Sequence, residues 1–443
     1  MTDDEIPADI SSRHRESPAE APRECQSASP TAASPASQAP PKSATREHGW
    51  QVLAILSLLM GFASISTDLY LPAMPAMRHD LGAGSGMIEL TVSGYLVGFS
   101  LAQLAWGPIS DRFGRRVPIA IGLGLFILGS AGCALADSAS ALIGWRLVQA
   151  VGACASVALS RAMVRDLYAG ARAAQMMSTL LTVMAIAPLL GPIVGGQIEA
   201  IANWRAIFWT LVAVGIVALL ALATLPETLP SDRRSEEALG RALRRYIELV
   251  GNRRLLAYIG VGGFYYAGMF AYVAGTPFAY IDYYGVPSQL YGLLFGAGVL
   301  GIMATNMLNV RLVSRFGVNG LLLVGTAATA LWALITAVDA RTDIFGLWGI
   351  AVPLFLFASM SGLIIANAMT GALQDFPHRA GAVSALVGAT QYGSGVIGSA
   401  LVGLWSDGTP WSMGLVVGIS GVGCLACALA VRRLHHPRPQ QTP

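Results

Sequence analysis

Apolar runs of about twenty residues, separated by short polar turns, follow one another from position 50 to position 432. They delimit as 50–77, 86–106, 117–136, 140–164, 175–199, 203–225, 254–281, 288–313, 318–338, 345–370, 379–403 and 410–432. Each has the ~20 residues that a helix needs to cross a hydrocarbon core. Backbone groups in lipid must bond within their own segment or within a closed barrel, and these runs are continuous rather than alternating. The expected fold is therefore all-α, with twelve transmembrane helices.

Polar positions inside the runs recur at helical spacing. Ser57, Gly61, Ser64 and Asp68 share one face of the first helix; Glu89, Ser93, Ser100, Gln103 and Gly107 share one face of the second. On the fourth, Arg146, Gln149, Ala153, Ser156 and Ser160 do the same. The three stripes are expected to face one cavity.

The turn after the second run reads Gly-Pro-Ile-Ser-Asp-Arg-Phe-Gly-Arg-Arg over 107–116, and Arg-Phe-Gly returns at 315–317 after the eighth run. This repeat divides the chain into two parallel six-helix bundles, 49–225 and 254–432, with a tail at 1–48, a linker at 226–253 and a tail at 433–443. In transporters built from repeats, the substrate site lies between the halves near mid-bilayer.

Composition agrees with a lipid environment: 54% of residues are hydrophobic and 12% charged, against roughly 25% charged in a soluble domain. Basic residues gather in the first tail, the turns near 112, 165, 311 and 379, the linker, and Arg432, Arg433 and Arg438. The opposite side holds Arg78, Arg205 and Arg341. Lys and Arg stay on the cytoplasmic side of short loops, so both termini are expected inside. The Pro-, Ala- and Ser-rich tail 1–48 is expected to be disordered and lacks the pattern of a cleaved signal peptide. The linker reads as an amphipathic helix on the inner membrane face. A net charge of +3 is accounted for by the topological bias and does not point to nucleic acid.

An ionisable group at a helix centre costs at least ~2.5 kcal/mol in lipid, so each is a functional candidate. Asp68, Glu89 and Arg146 qualify. Asp68 falls late in an outward-running helix and Arg146 early in an inward-running one, which puts both in the outer half. Burial and Arg146 act in opposite senses on a nearby carboxyl, as proton loading and release require. For Glu89 three readings stand: a second proton site, a contact for cationic substrates, or a residue facing outer water. Tyr266 and Phe270, with Asn367, Gln391 and Tyr392, are expected to line an apolar cavity.

The fifth run places Pro188, Gly191, Pro192, Gly195 and Gly196 within nine residues, which reads as a kinked and closely packed seal. In the 107–116 turn, with Gly107 and Gly114, Asp111 beside Arg112, Arg115 and Arg116 reads as a charge latch; Asp111 could also cap a neighbouring helix. Ser314 stands where Asp111 would align in the second copy, so the latch is expected to be asymmetric. No nucleotide loop, metal-spaced His/Cys set or nucleophile elbow is present, so neither enzyme chemistry, a cofactor nor a metal is expected.

The 107–116 turn resembles the signature loop of the major facilitator superfamily. Thr67-Asp-Leu-Tyr-Leu-Pro-Ala-Met-Pro75 resembles the first-helix motif of twelve-span drug-proton antiporters, and Arg146-Leu-Val-Gln149 their fourth-helix motif, with Ala150 where Gly is usual. The 188–196 segment resembles the fifth-helix motif associated with antiport. Together these resemble the Bcr/CflA group of bacterial drug exporters. The resemblance implies a monomer in the bacterial inner membrane that exchanges protons for drug-like or amphiphilic small molecules. Tyr70 and Gln149, inside the motifs, then become substrate-contact candidates. The alternative is a proton-coupled exporter or uptake carrier for one metabolite.

Overall fold

The computed structural model describes residues 49–84, 86–168, 170–234, 247–376 and 379–434. The expectations for the tail 1–48, the centre of the linker and the tail beyond 434 fall outside them.

Eight helices are long and apolar enough to cross a membrane by length and composition. The longest, Ser288–Thr342, is two passes joined at Gly317. Glu89–Phe113, Gly170–Ile201 and Ala380–Leu404 add passes of 25, 32 and 25 residues, which makes twelve among the described residues. They are numbered here in chain order as the first to the twelfth helix.

Three limits differ from the hydropathy reading. The first helix, Gly49–Asp68, stops at Asp68, and the chain continues through a tight turn at Leu71–Ala73 into the short helix Met74–Asp80. Pro72 and Pro75 each lack an amide donor, and each starts one of these short elements instead of extending the first helix. The seventh helix widens into a π-turn, Phe278–Tyr283, after Pro277. The fifth, by contrast, remains helical through Pro188 and Pro192.

Small residues set the helix contacts, as expected where lipid supplies no hydrophobic drive for association. In the first half, Gly94 and Gly98 of the second helix meet Ile143 and Leu147 of the fourth, while Gly122 and Gly129 of the third meet Ala155 and Gln149. In the second half, Gly301 of the eighth helix meets Ser359, and Gly325 of the ninth meets Leu363, both on the tenth pass. The halves therefore repeat one packing plan. They join along two seams, the second helix with the eleventh and the fifth with the eighth. Exchanging the halves exchanges the seams.

The turns repeat in detail. Gly114 and Gly317 both take positive φ, 91° and 70°, a backbone state that only glycine adopts without strain. The preceding pairs match too, with Arg112 5.6 Å from the Phe113 ring and Arg315 5.5 Å from the Phe316 ring. The side of the bundle carrying both turns is called the turn face below.

Candidate functional site

Arg146, early in the fourth helix Ala139–Leu167, is 0% exposed. Its guanidinium lies between two aromatic rings, 4.1 Å from the centre of Tyr70 and 4.4 Å from that of Tyr95. Such cation–π contacts gain strength when desolvated. Nη1 donates to the Ser66 carbonyl at 2.8 Å and to Gln149 Oε1 at 2.6 Å, and Gln149 Nε2 donates to Ser130 Oγ at 2.7 Å. Nε and Nη2 have no hydrogen-bond partner among the described residues. Tyr70, itself bonded to Thr91 at 3.2 Å, and Gln149 are both fully buried. In this conformation they pack around Arg146.

Asp68 ends the first helix two residues after Ser66 and is 6% exposed. Its Oδ1 accepts from Thr67 at 3.1 Å, and it forms no ion pair with Arg146 within 4.0 Å. The two groups share the same joint without neutralising each other directly. The fifth helix closes this joint from the other side. A side chain at Gly191 would meet Asp68 Cβ at 2.9 Å, one at Gly195 would run into the Leu69 carbonyl, and one at Gly196 would come 2.8 Å from the Ser288 carbonyl. Those three glycines therefore bring the fifth helix onto the end of the first and the start of the eighth, with Pro188 and Pro192 inside the same helix.

Glu89 is 2% exposed and faces the eleventh helix, not water. Its Oε1 accepts from Ser406 at 3.4 Å, and Oε2 has no partner. One turn along, Ser93 bonds Ser399 at 2.8 Å. The start of the second-helix stripe, Glu89 and Ser93, thus closes the seam between halves, while Gln103 and Gly107 at its other end line a cavity. The expectation that all three stripes face one cavity is corrected in this part, since periodicity does not show which helix a stripe meets. On the face opposite the turns, Arg78 pairs with Asp282 at 2.7 Å and Ser288 donates to Glu199 at 2.9 Å. Each of these contacts joins the first half to the second.

At the turn face the halves part. A cavity of about 460 Å³ lies there, lined by Gln103, Gly107, Asp111, Arg161 and Arg165 on one side and Gly381 and Ser384 on the other. Beyond Gln103, one helical turn deeper, rings meet across the seam. Phe99 lies 4.4 Å from Tyr392, whose ring is 5.9 Å from Tyr266 and 6.1 Å from Phe270. Gln391 adjoins Gly262, and its Nε2 is unpartnered. The structure thus brings Tyr266, Phe270 and Tyr392 together, with Gln391 alongside, but not Asn367. That residue is buried and donates to Asn309 at 2.6 Å and to the Leu363 carbonyl at 2.7 Å.

The 107–116 turn is a clasp that ties the first half to the start of the linker. Arg115 bonds Asp111 at 2.6 Å, Ser110 at 2.6 Å and Asp166 at 2.8 Å. Glu227 accepts the backbone N–H groups of Arg115 at 2.7 Å and Arg116 at 3.0 Å. Burial opposes the charge on Glu227, yet backbone donors from Arg115, Leu229, Arg116 and Thr228 outweigh it and hold the carboxyl below its ordinary value of 4.5. Arg116 also reaches the Ala223 carbonyl at 2.8 Å. Arg112 instead lies over Phe113. The second turn has no such ion pair among the described residues. Asp166 and Glu227 were not among the sequence candidates; the adjacent Arg165-Asp166 pair is the signal that could have drawn attention to the first.

The model of the Major Facilitator Superfamily matches residues 56–399. The chain is 35% identical over 379 residues to an uncharacterised MFS-type transporter, YdgK, of Bacillus subtilis, covering 84% of this chain and 93% of that one. It is 31% identical to a bicyclomycin resistance protein homolog of Haemophilus influenzae (79% and 87% covered). To multidrug resistance protein D of Escherichia coli it is 29% identical (89% and 99% covered). Among solved structures, an inward-open form of the xylose transporter XylE from E. coli superposes with a TM-score of 0.68 at 15% identity, covering 89% of this chain and 98% of that one. At that identity the likeness concerns the fold alone.

Proposed function

The chain belongs to the Major Facilitator Superfamily, and on that premise we propose that it exports drug-like or amphiphilic small molecules from the cytoplasm in exchange for protons. Relatives named for bicyclomycin and multidrug resistance support export of drugs. The observation that carries the coupling is the joint at Asp68: a buried carboxyl and a fully buried Arg146 meet the same segment, 66–70, without forming an ion pair. Burial and Arg146 act in opposite senses on this carboxyl, so small movements of the joint decide whether it holds a proton. Gly191 and Gly195 press the fifth helix onto that joint, and the same helix touches the second half at Ser288 and Gly292. Protonation of Asp68 and the packing of the halves thus share one helix, which gives the proton and the substrate a route to exclude each other.

With the turn face as the cytoplasmic one, on the grounds of its basic residues, the cavity faces inward and Arg78–Asp282, Glu199–Ser288 and Glu89–Ser406 close the outer side. The clasp around Arg115 belongs to the moving first half and steadies it as a unit. The monomer is the working form in this reading. The test is ΔpH in inverted membrane vesicles, followed with a quenched amine dye while candidate compounds are added. Dequenching that disappears in Asp68→Asn is the expected result. Full retention in that variant removes Asp68 from the coupling and transfers the role to Glu89, whose Oε2 is unpartnered.

A further inference from the structure

The cavity at the turn face has three arginines in its lining, Arg115, Arg161 and Arg165, and one carboxylate, Asp111. Arg115 is shared between Asp111 and Asp166, so it is not available to a ligand. Arg165 is exposed. Arg161 is half-buried, forms no ion pair among the described residues, and its buried Nε has no hydrogen-bond partner. Its Nε is thus withdrawn from water without a partner, which costs free energy, and the planar guanidinium fork matches a carboxylate with two parallel bonds.

Across the cavity from Arg161 stand the small residues Gly381, Ala382, Ser384 and Ala385, and the aromatic residues lie deeper than this lining. Cys154, seven residues earlier on the same helix, donates to Gln103 at 3.4 Å, and Gln103 lines the cavity next to Gly388. Seven residues of helix span ~10 Å. One turn past Gln103 and Gly388 come Phe99 and Tyr392, with Tyr266 and Phe270 behind them. The cavity therefore has an unpaired cation in its lining, and a layer of rings lies beyond its deep end, about 15 Å of helix rise away. A helical side chain leans toward its N-terminus, here the deep end. The Arg161 guanidinium thus covers part of that rise and leaves on the order of 10 Å, about the length of a bicyclic aromatic acid.

We propose that Arg161 selects the substrate, favouring aromatic compounds that carry a carboxylate or similar anionic group. This deepens the export reading above and depends on the same cavity. Arg161 holds the anion by a bidentate contact and the ring layer takes the aromatic end.

The probes are three molecules with one ring system, namely 1-naphthoate, 1-naphthamide and 1-naphthylmethylammonium. Binding to the purified full chain is measured at equilibrium, with a thermal melt of each preparation to establish folding. Wild type is expected to bind the carboxylate at least about ten-fold more tightly than the amide or the ammonium. Arg161→Gln is expected to bring the carboxylate-to-amide ratio down to about one, and Arg161→Lys, which keeps the charge but loses the fork, to restore part of it. A wild-type ratio of one or less, or a ratio unaltered in a folded Arg161→Gln, overturns the proposal. Export is read separately from ΔpH in vesicles. Failure of all three probes there counts against the export reading, while the binding ratio still decides the role of Arg161.

Discussion

The first half buries charge where the second half buries neutral polar groups, although both follow one packing plan. Arg146, Asp68 and Glu89 lie inside or at the seam of the first half. In the second, the interior carries the Asn309–Asn367 pair, the Tyr265 hydroxyl on the Ala358 carbonyl at 2.9 Å, and stacked Tyr272 and Phe295. Its one strongly buried carboxylate among the described residues, Asp339, accepts the Phe345 N–H at 3.2 Å next to the start of the tenth pass. The repeat thus conserves the scaffold and divides the labour. With Asp339 as its one strongly buried carboxylate among the described residues, the second half is the less charged wall against which the first half packs.

The largest test of this division is Asp68→Asn against Asp339→Asn. The first is expected to lower ΔpH-driven efflux by at least about 100-fold, more than a single carboxyl–amide exchange costs in binding elsewhere, while the second keeps coupling. Equal losses would erase the distinction between the halves. Next, Gly195→Ala puts a methyl on the Leu69 carbonyl, whereas Gly393→Ala, in the eleventh helix, meets nothing within 4 Å. Thermal denaturation should show the first about 3 kcal/mol less stable and the second no less stable than wild type.

In the second half, Asn367→Ala leaves Asn309 without its partner, and the same measurement should show a loss of about 2 kcal/mol with proton coupling intact. A loss of coupling there would make the neutral half part of the proton path. At the clasp, Glu227→Gln weakens bonds to charged oxygen and should cost about 1 kcal/mol at neutral pH. The native carboxyl lies below 4.5, so its contribution is present above that value and is lost as pH falls through the lower, folded one. Variant and wild-type stabilities should therefore converge in acid. The smallest effect is expected for Ser399→Ala, which removes the bond to Ser93 across the closed seam. At ~0.5 kcal/mol it should raise the outward-open population about two-fold, read from cysteine labelling on the face opposite the turns.

Much of this arrangement is legible along the chain. Asp68, Arg146 and Glu89 stand out because charge in an apolar run is rare, and all three prove buried. The Gly-rich face at 191–196 announces close packing, and the neighbours it meets, Leu69 and Ser288, become visible only in three dimensions. Tyr70 and Gln149 pack against Arg146, and their motifs mark that a residue matters while staying silent on whether it touches a ligand or another side chain. Tyr95, the second ring on Arg146, carries no signal in its own run, since an aromatic among apolar residues is ordinary. The break at Asp68 is written in Pro72 and Pro75, but hydropathy averages across it.

By itself, then, the sequence determined the twelve passes, the repeat of halves and the identity of the charges placed in lipid. Each of these is a property of local composition and period, summed over residues adjacent in the chain. The tertiary structure alone decided that Glu89 faces the eleventh helix, that Arg146 is held by rings and carbonyls instead of by Asp68, and that Arg161 is left unpaired in the cavity. Those outcomes depend on which helix faces which and on its rotation about its own axis, and glycine contacts between distant segments set both.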